Sequence, residues 1–107
     1  MRMDKRTINK AIKYFENRLI EDNIPVSQII IFGSRAKRIS SKDSDLDLII
    51  VSEKFRRKSI FKRADMVGDA LFDTICKYKI PIDALLKTPE EIDREYLEQI
   101  GAIIFAA

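Results

Sequence analysis

The sequence predicts a mixed α/β (α+β) fold, a small mixed β-sheet with helices packed against it, in a single domain spanning residues 1–107. Three observations lead there. Apolar residues recur at helical spacing in two long segments, 4–22 and 59–79. Short β-branched runs fall at 27–32, 46–51 and 80–86, between and after those helices. A chain of 107 residues can bury one core and has no room for a second.

In the first helix Ile8, Ala11, Ile12, Phe15 and Leu19 form the apolar stripe, with Asp4 placed to cap the N-terminus. Asn23 to Pro25 ends it. The runs 27–32 and 46–51 are continuously apolar, as expected of strands buried on both faces. A charged connection, 53–59, leads to the second helix, where Ile60, Ala64, Val67, Leu71, Ile75 and Tyr78 recur. Pro81 near the start of 80–86 suits a strand end or a sheet edge. Thr88 followed by Pro89 predicts a capped third helix over 89–99, ended by Gly101. Residues 102–105 form a short last strand. The order αββαβαβ makes the second and third strands parallel, joined by a helical crossover.

The net charge of +3 permits contact with nucleotides without demanding it. There is no histidine, which excludes His general bases, Ser-His-Asp triads and His-ligated zinc. Cys76 is the only cysteine, so no intrachain disulfide forms; among apolar neighbours it is expected to be a buried thiol. The start MRMDKR lacks the apolar centre of a signal peptide, and no run approaches the roughly 20 residues of a membrane span. A cytoplasmic location and no membrane partner are the expectation.

The segment IIIFGSRAKRISSKDSDLDLIIV carries the chemistry. Asp45 and Asp47 stand two apart at the start of a strand, on one face, roughly 6–7 Å apart at the backbone. Such a pair can converge on one divalent cation, or one carboxylate can bridge two ions about 3.5–4 Å apart. Magnesium takes a few carboxylates together with substrate phosphates. Asp83 is the only acid inside the third strand, and a neighbouring strand would bring it alongside. Gly33 lets the backbone approach a ligand, and Ser34 can cap the turn that follows, aiming N–H groups at phosphate. Arg35, Lys37 and Arg38 add positive charge. Each feature alone has a plain structural explanation: solvent-facing alternation for Asp45 and Asp47, a turn for Gly33-Ser34, edge protection for Asp83. In combination they point to a metal–nucleotide site.

The pattern of an apolar strand, Gly-Ser, ten residues and Asp-x-Asp, followed by an acid in IPIDALL, resembles the nucleotidyltransferase superfamily that includes DNA polymerase beta, and within it the minimal nucleotidyltransferase (MNT) branch. The resemblance covers nearly the whole chain and implies the nucleotidyltransferase fold. It implies transfer of AMP from ATP to an acceptor hydroxyl, with two Mg²⁺ ions held by Asp45, Asp47 and Asp83. Gly33 and Ser34 would hold the β- and γ-phosphates, with Arg35 a further phosphate contact. Larger relatives carry a helical domain for the acceptor, and this sequence shows none. Short members pair with a HEPN-domain protein as the antitoxin of a toxin–antitoxin system and AMPylate a tyrosine on it. The resemblance therefore implies a HEPN-domain partner.

Two other readings remain at this point. A non-catalytic partner would bind nucleotide or the HEPN protein and neutralise it by contact. Alternatively Phe55, Arg56, Arg57, Lys58, Lys62 and Arg63 would bind RNA, although such a run is more often a solvated helix start, and nucleic acid is not the expected partner. Ile103, Ile104 and Phe105 complete the sheet, or form a surface for homo- or hetero-oligomers if left uncovered.

Overall fold

The computed structural model describes residues 5–33 and 45–106. Helix α1 (Lys5–Glu21) is followed by strands β1 (Gln28–Phe32) and β2 (Leu46–Val51), helix α2 (Ile60–Tyr78), strand β3 (Ile82–Lys87), helix α3 (Arg94–Gln99) and strand β4 (Ile103–Ala106). Two 3₁₀ turns, Glu53–Phe55 and Pro89–Glu91, interrupt the connections. The sheet order is β3-β2-β1-β4. β1 pairs antiparallel with both β2 and β4, and β2 pairs parallel with β3 through the α2 crossover, as the element order requires. The fold is the mixed α+β sheet with helices that the sequence predicts.

Strand alternation divides the sheet into two unlike faces. Ile29, Leu46, Leu48 and Ile50 turn toward α1 and α2, where Ala11, Ile12, Phe15, Leu19, Val67 and Ala70 complete the main core. The other face carries Ile30, Ile49 and Val51, against which, among the described residues, Phe32, Ile92, Leu97 and Ala102 pack. One face is thus a two-helix core and the other has a partial lid. Arg18 fastens α1 to α2 by donating from Nη2 to Asp73 at 2.8 Å, and that carboxylate raises the guanidinium's pKa further. Thr74, fully buried in α2, satisfies its hydroxyl by donating to the Ala70 carbonyl at 2.8 Å.

The start of α2 is fixed twice. Ser59 is its N-cap, accepting from the Lys62 N–H at 3.1 Å. One turn on, Arg63 donates to the Lys58 and Leu86 carbonyls and, at 2.8 Å, to Glu91, tying α2 to the end of β3 and the turn beyond. Phe55 lies fully buried beneath that guanidinium, whose central carbon is 6.0 Å from the ring centroid.

Two expectations need correction, and one competing reading loses its support. The third helix does not run over 89–99. Thr88 and Pro89 start only a 3₁₀ turn, Ile92 and Asp93 are extended, and Asp93 caps a separate six-residue α3. Cys76 is exposed. It stands on the outward side of α2, whose buried residues are Val67, Ala70 and Thr74, so apolar neighbours in sequence did not bury it. The basic run from Phe55 to Arg63 is not an open stacking surface. Phe55 is core, Arg63 is spent on β3 and Glu91, and Arg56 is paired with both Glu53 and Glu90. The proposed cap Asp4 lies outside the described residues. Among those residues, no helix is long and apolar enough to cross a membrane.

Glu91 predicts an acid dependence of stability. Its carboxylate accepts from Arg63 and from the Thr88 N–H at 2.7 Å, and these bonds pull its pKa down from 4.5 to about 2, with the Arg63 bond the largest cause. A depressed carboxylate stabilises the fold above its unfolded pKa and loses that contribution as pH falls through the folded one. Urea midpoints measured from pH 6 down to about 2 should therefore fall more steeply for the native chain than for Glu91→Gln, the two curves converging at the acid end. Parallel curves would show the Arg63–Glu91 contact to be without consequence.

Candidate active site

The acids meet because of strand register. In the parallel β2–β3 pair Asp47 lies directly beside Asp83, and in the antiparallel β1–β2 pair Phe32 lies directly beside Asp47. Neighbouring strands run about 4.8 Å apart, so Phe32, Asp47 and Asp83 form one row across three strands. Alternation places Asp47 opposite Leu46 and Leu48, on the face that α1 and α2 leave free. Asp45 precedes β2 by one residue and two before Asp47, continuing the same side, and it is exposed, as is Asp83. Asp47 is half-buried.

Gly33 closes the row from the other side. It follows β1 with φ +77°, a left-handed backbone that favours glycine. A Cβ built there would stand 2.3 Å from Asp47 Oδ2 and 3.2 Å from Asp47 Cγ. The Gly33 backbone therefore rests against the Asp47 carboxylate in space that any side chain would take. Here the absence of a side chain is needed twice, for the dihedral and for the contact.

Electrostatics single out Asp47. Burial pushes its pKa up, and the negative charges of Asp83 and then Asp45 push it further. The three carboxylates are thus close enough to repel. They do not converge on a point: among the described residues, no three or more Asp, Glu, Cys or His side chains are gathered into a cluster that could hold a metal ion. The donor set is nevertheless suited to a hard divalent cation, being all oxygen and anionic, with repulsion at Asp47 that a cation would relieve. Ser34, Arg35, Lys37 and Arg38 lie outside the described residues.

Two residues of this neighbourhood were not singled out from sequence. Phe32 flanks Asp47 on the open face; its signal was its place in β1, immediately before Gly33. Leu85 follows Asp83 by two on β3 and is 43% exposed on the same face.

The sequence model of the polymerase beta nucleotidyltransferase family matches residues 9–106. Among solved structures, a protein from Sulfolobus solfataricus named provisionally as a nucleotidyltransferase is 19% identical, with a TM-score of 0.57, the alignment covering 97% of this chain and 89% of that one. A structure described as a toxin–antitoxin with AMP-PNP is 16% identical, also with a TM-score of 0.57, over 91% of this chain and 71% of that one. BolA1 from Arabidopsis thaliana matches at a TM-score of 0.51 and 18% identity, over 74% of this chain and 96% of that one. These likenesses are of fold. No curated protein matches the sequence significantly.

Two measurements check the geometry. Gly33→Ala should lower stability by about 1–2 kcal/mol from the left-handed backbone alone, and should also shift the Asp47 carboxyl resonance as the new methyl displaces it. A variant with native urea midpoint and native Asp47 shift would contradict the contact. Asp83→Asn should lower the Asp47 pKa, read by carboxyl ¹³C titration, without returning it to the ordinary range, because burial is the larger cause. No change would show that the two carboxylates do not sense one another.

Proposed function

Because the chain belongs to the polymerase beta nucleotidyltransferase family, we propose that it transfers AMP from ATP, with Mg²⁺, to a hydroxyl on a partner protein. The setting we propose is a HEPN/MNT toxin–antitoxin pair in the cytoplasm, with this chain, as a single minimal domain, the antitoxin. The observation that carries the transferase reading is the row in which Asp47, backed by Gly33, stands beside Asp83. The protein acceptor and the partner are supported by likeness to the toxin–antitoxin structure with AMP-PNP.

Asp45, Asp47 and Asp83 are the residues that would hold two Mg²⁺ ions, and bound metal would offset the charge of the polyphosphate. Gly33 and Ser34 would seat the β- and γ-phosphates, with Arg35 a further contact. Everything else falls to the chain and its acceptor. The acceptor hydroxyl oxygen bonds to the α-phosphorus. The bond from that phosphorus to the oxygen bridging to the β-phosphate breaks, and pyrophosphate leaves with the electron pair. The hydroxyl proton passes to the Asp83 carboxylate, which is exposed on the open face where an acceptor can reach it. Asp47, pressed by Gly33 and held between two other acids, keeps its carboxylate aimed at the same face. The helices α1 and α2 cover only the opposite face, so both substrates come from one side.

The test is incubation of the chain with α-labelled ATP, Mg²⁺ and the HEPN-domain protein encoded beside it. Label should appear on that protein and fall by at least about 100-fold with Asp45→Asn or Asp47→Asn. Neutralisation of the partner that survives both substitutions, without label transfer, would replace this reading with inhibition by contact.

A further inference from the structure

Among the described residues, the sheet ends at β3, the strand that bears Asp83, and no strand pairs beyond it. The direction of its backbone groups follows from two bonds toward β2: Leu46 N–H donates to the Pro81 carbonyl at 2.8 Å and Ser52 N–H to the Lys87 carbonyl at 2.9 Å. Residues 81, 83, 85 and 87 therefore face β2, and Ile82, Ala84 and Leu86 face outward. Among the described residues, the outward group with a bond is the Leu86 carbonyl, which accepts from Arg63 at 2.9 Å. That leaves a short unpaired stretch with Pro81 at one end and the Arg63 guanidinium at the other.

We propose that this edge of β3 receives an extended, hydroxyl-bearing segment of the protein acceptor by strand addition, which sets the hydroxyl beside Asp83. The occupant is specified by what the edge offers. Alternate N–H and C=O groups at Ile82 and Ala84 are matched by an extended backbone. A strand added there lies about 4.8 Å from β3, and its side chains on the open face stand next to Asp83 and the half-exposed Leu85. One of these neighbours is the carboxylate assigned the proton, the other an apolar contact for the residue two along from the acceptor. The bracketing by Pro81 and Arg63 limits the pairing to a few residues, as suits a transient substrate rather than a permanent partner. This inference rests on the transferase reading, and it goes further by stating how the acceptor is held.

Ala84→Pro tests it, since proline removes an outward N–H and is tolerated on an edge strand. With the HEPN-domain protein as acceptor, kcat/KM for label transfer should fall about tenfold or more, as expected for lost backbone hydrogen bonds. ATP affinity and urea midpoint should stay native. Transfer at the native rate would overturn strand addition while leaving the transferase reading intact. Amide hydrogen exchange on the unsubstituted chain reads docking without chemistry, and so remains decisive if the variant misfolds. Protection of the Ile82 and Ala84 amides on adding the acceptor protein supports the proposal, even where no label moves and the transferase reading fails. Absence of protection overturns it, as does protection already present in the chain alone and rising with its concentration, which would assign the edge to a second copy.

Discussion

The register of three strands governs this molecule. β2 is held antiparallel to β1 and parallel to β3, and the pairings place Phe32, Asp47 and Asp83 side by side. A slip of one residue in either pairing would turn a carboxylate into the core, among Ile29, Leu48 and Phe15, where an unpaired charge is prohibitive. The apolar face thereby enforces the polar one. Burial of Leu46, Leu48 and Ile50 against α1 and α2 fixes which side Asp47 occupies, and packing of the helices becomes placement of the acids.

The site is a local departure from the rule that like charges avoid one another. Three aspartates share a face, and the most buried of them has its pKa raised by burial and by its two neighbours. Gly33 adds a backbone contact that no other residue would permit. A fold that tolerates this arrangement does so through its other contacts, which are conventional: Arg18 on Asp73, Arg63 on Glu91 and Leu86, caps at Ser59 and Asp93. Most of these lie on α2 and its junctions, which matters because α2 is the crossover that sets the β2–β3 pairing.

Most of the architecture could be read from the sequence, for reasons visible in particular residues. The continuous apolar run of β2 and the helical spacing of α2 were plain in the sequence, and their observed bounds differ from the expected ones by a residue or less. Asp83 was legible because a lone acid in an apolar strand calls for a polar face. The failures share a cause, which is that sequence neighbours are not spatial neighbours. Cys76 sits among apolar residues yet points outward. Phe55 sits among cations yet is core. The break at Ile92 and Asp93 follows from packing of Ile92 and Leu97 under the sheet, which a single continuous helix pattern did not reveal. The contact between Gly33 and Asp47 depends on register and was beyond sequence, although glycine itself marked the place.

The central proposal is that Gly33, Asp45, Asp47 and Asp83 would act together on one metal–nucleotide ligand. Titration of the ¹⁵N-labelled chain with Mn²⁺ and a non-hydrolysable ATP analogue tests it most directly. The account predicts that the amides of these four residues broaden first and with a common midpoint, ahead of acids elsewhere such as Glu16, Asp69 and Glu98. Broadening that begins at those other acids, or that separates Asp83 from Asp47, would contradict it.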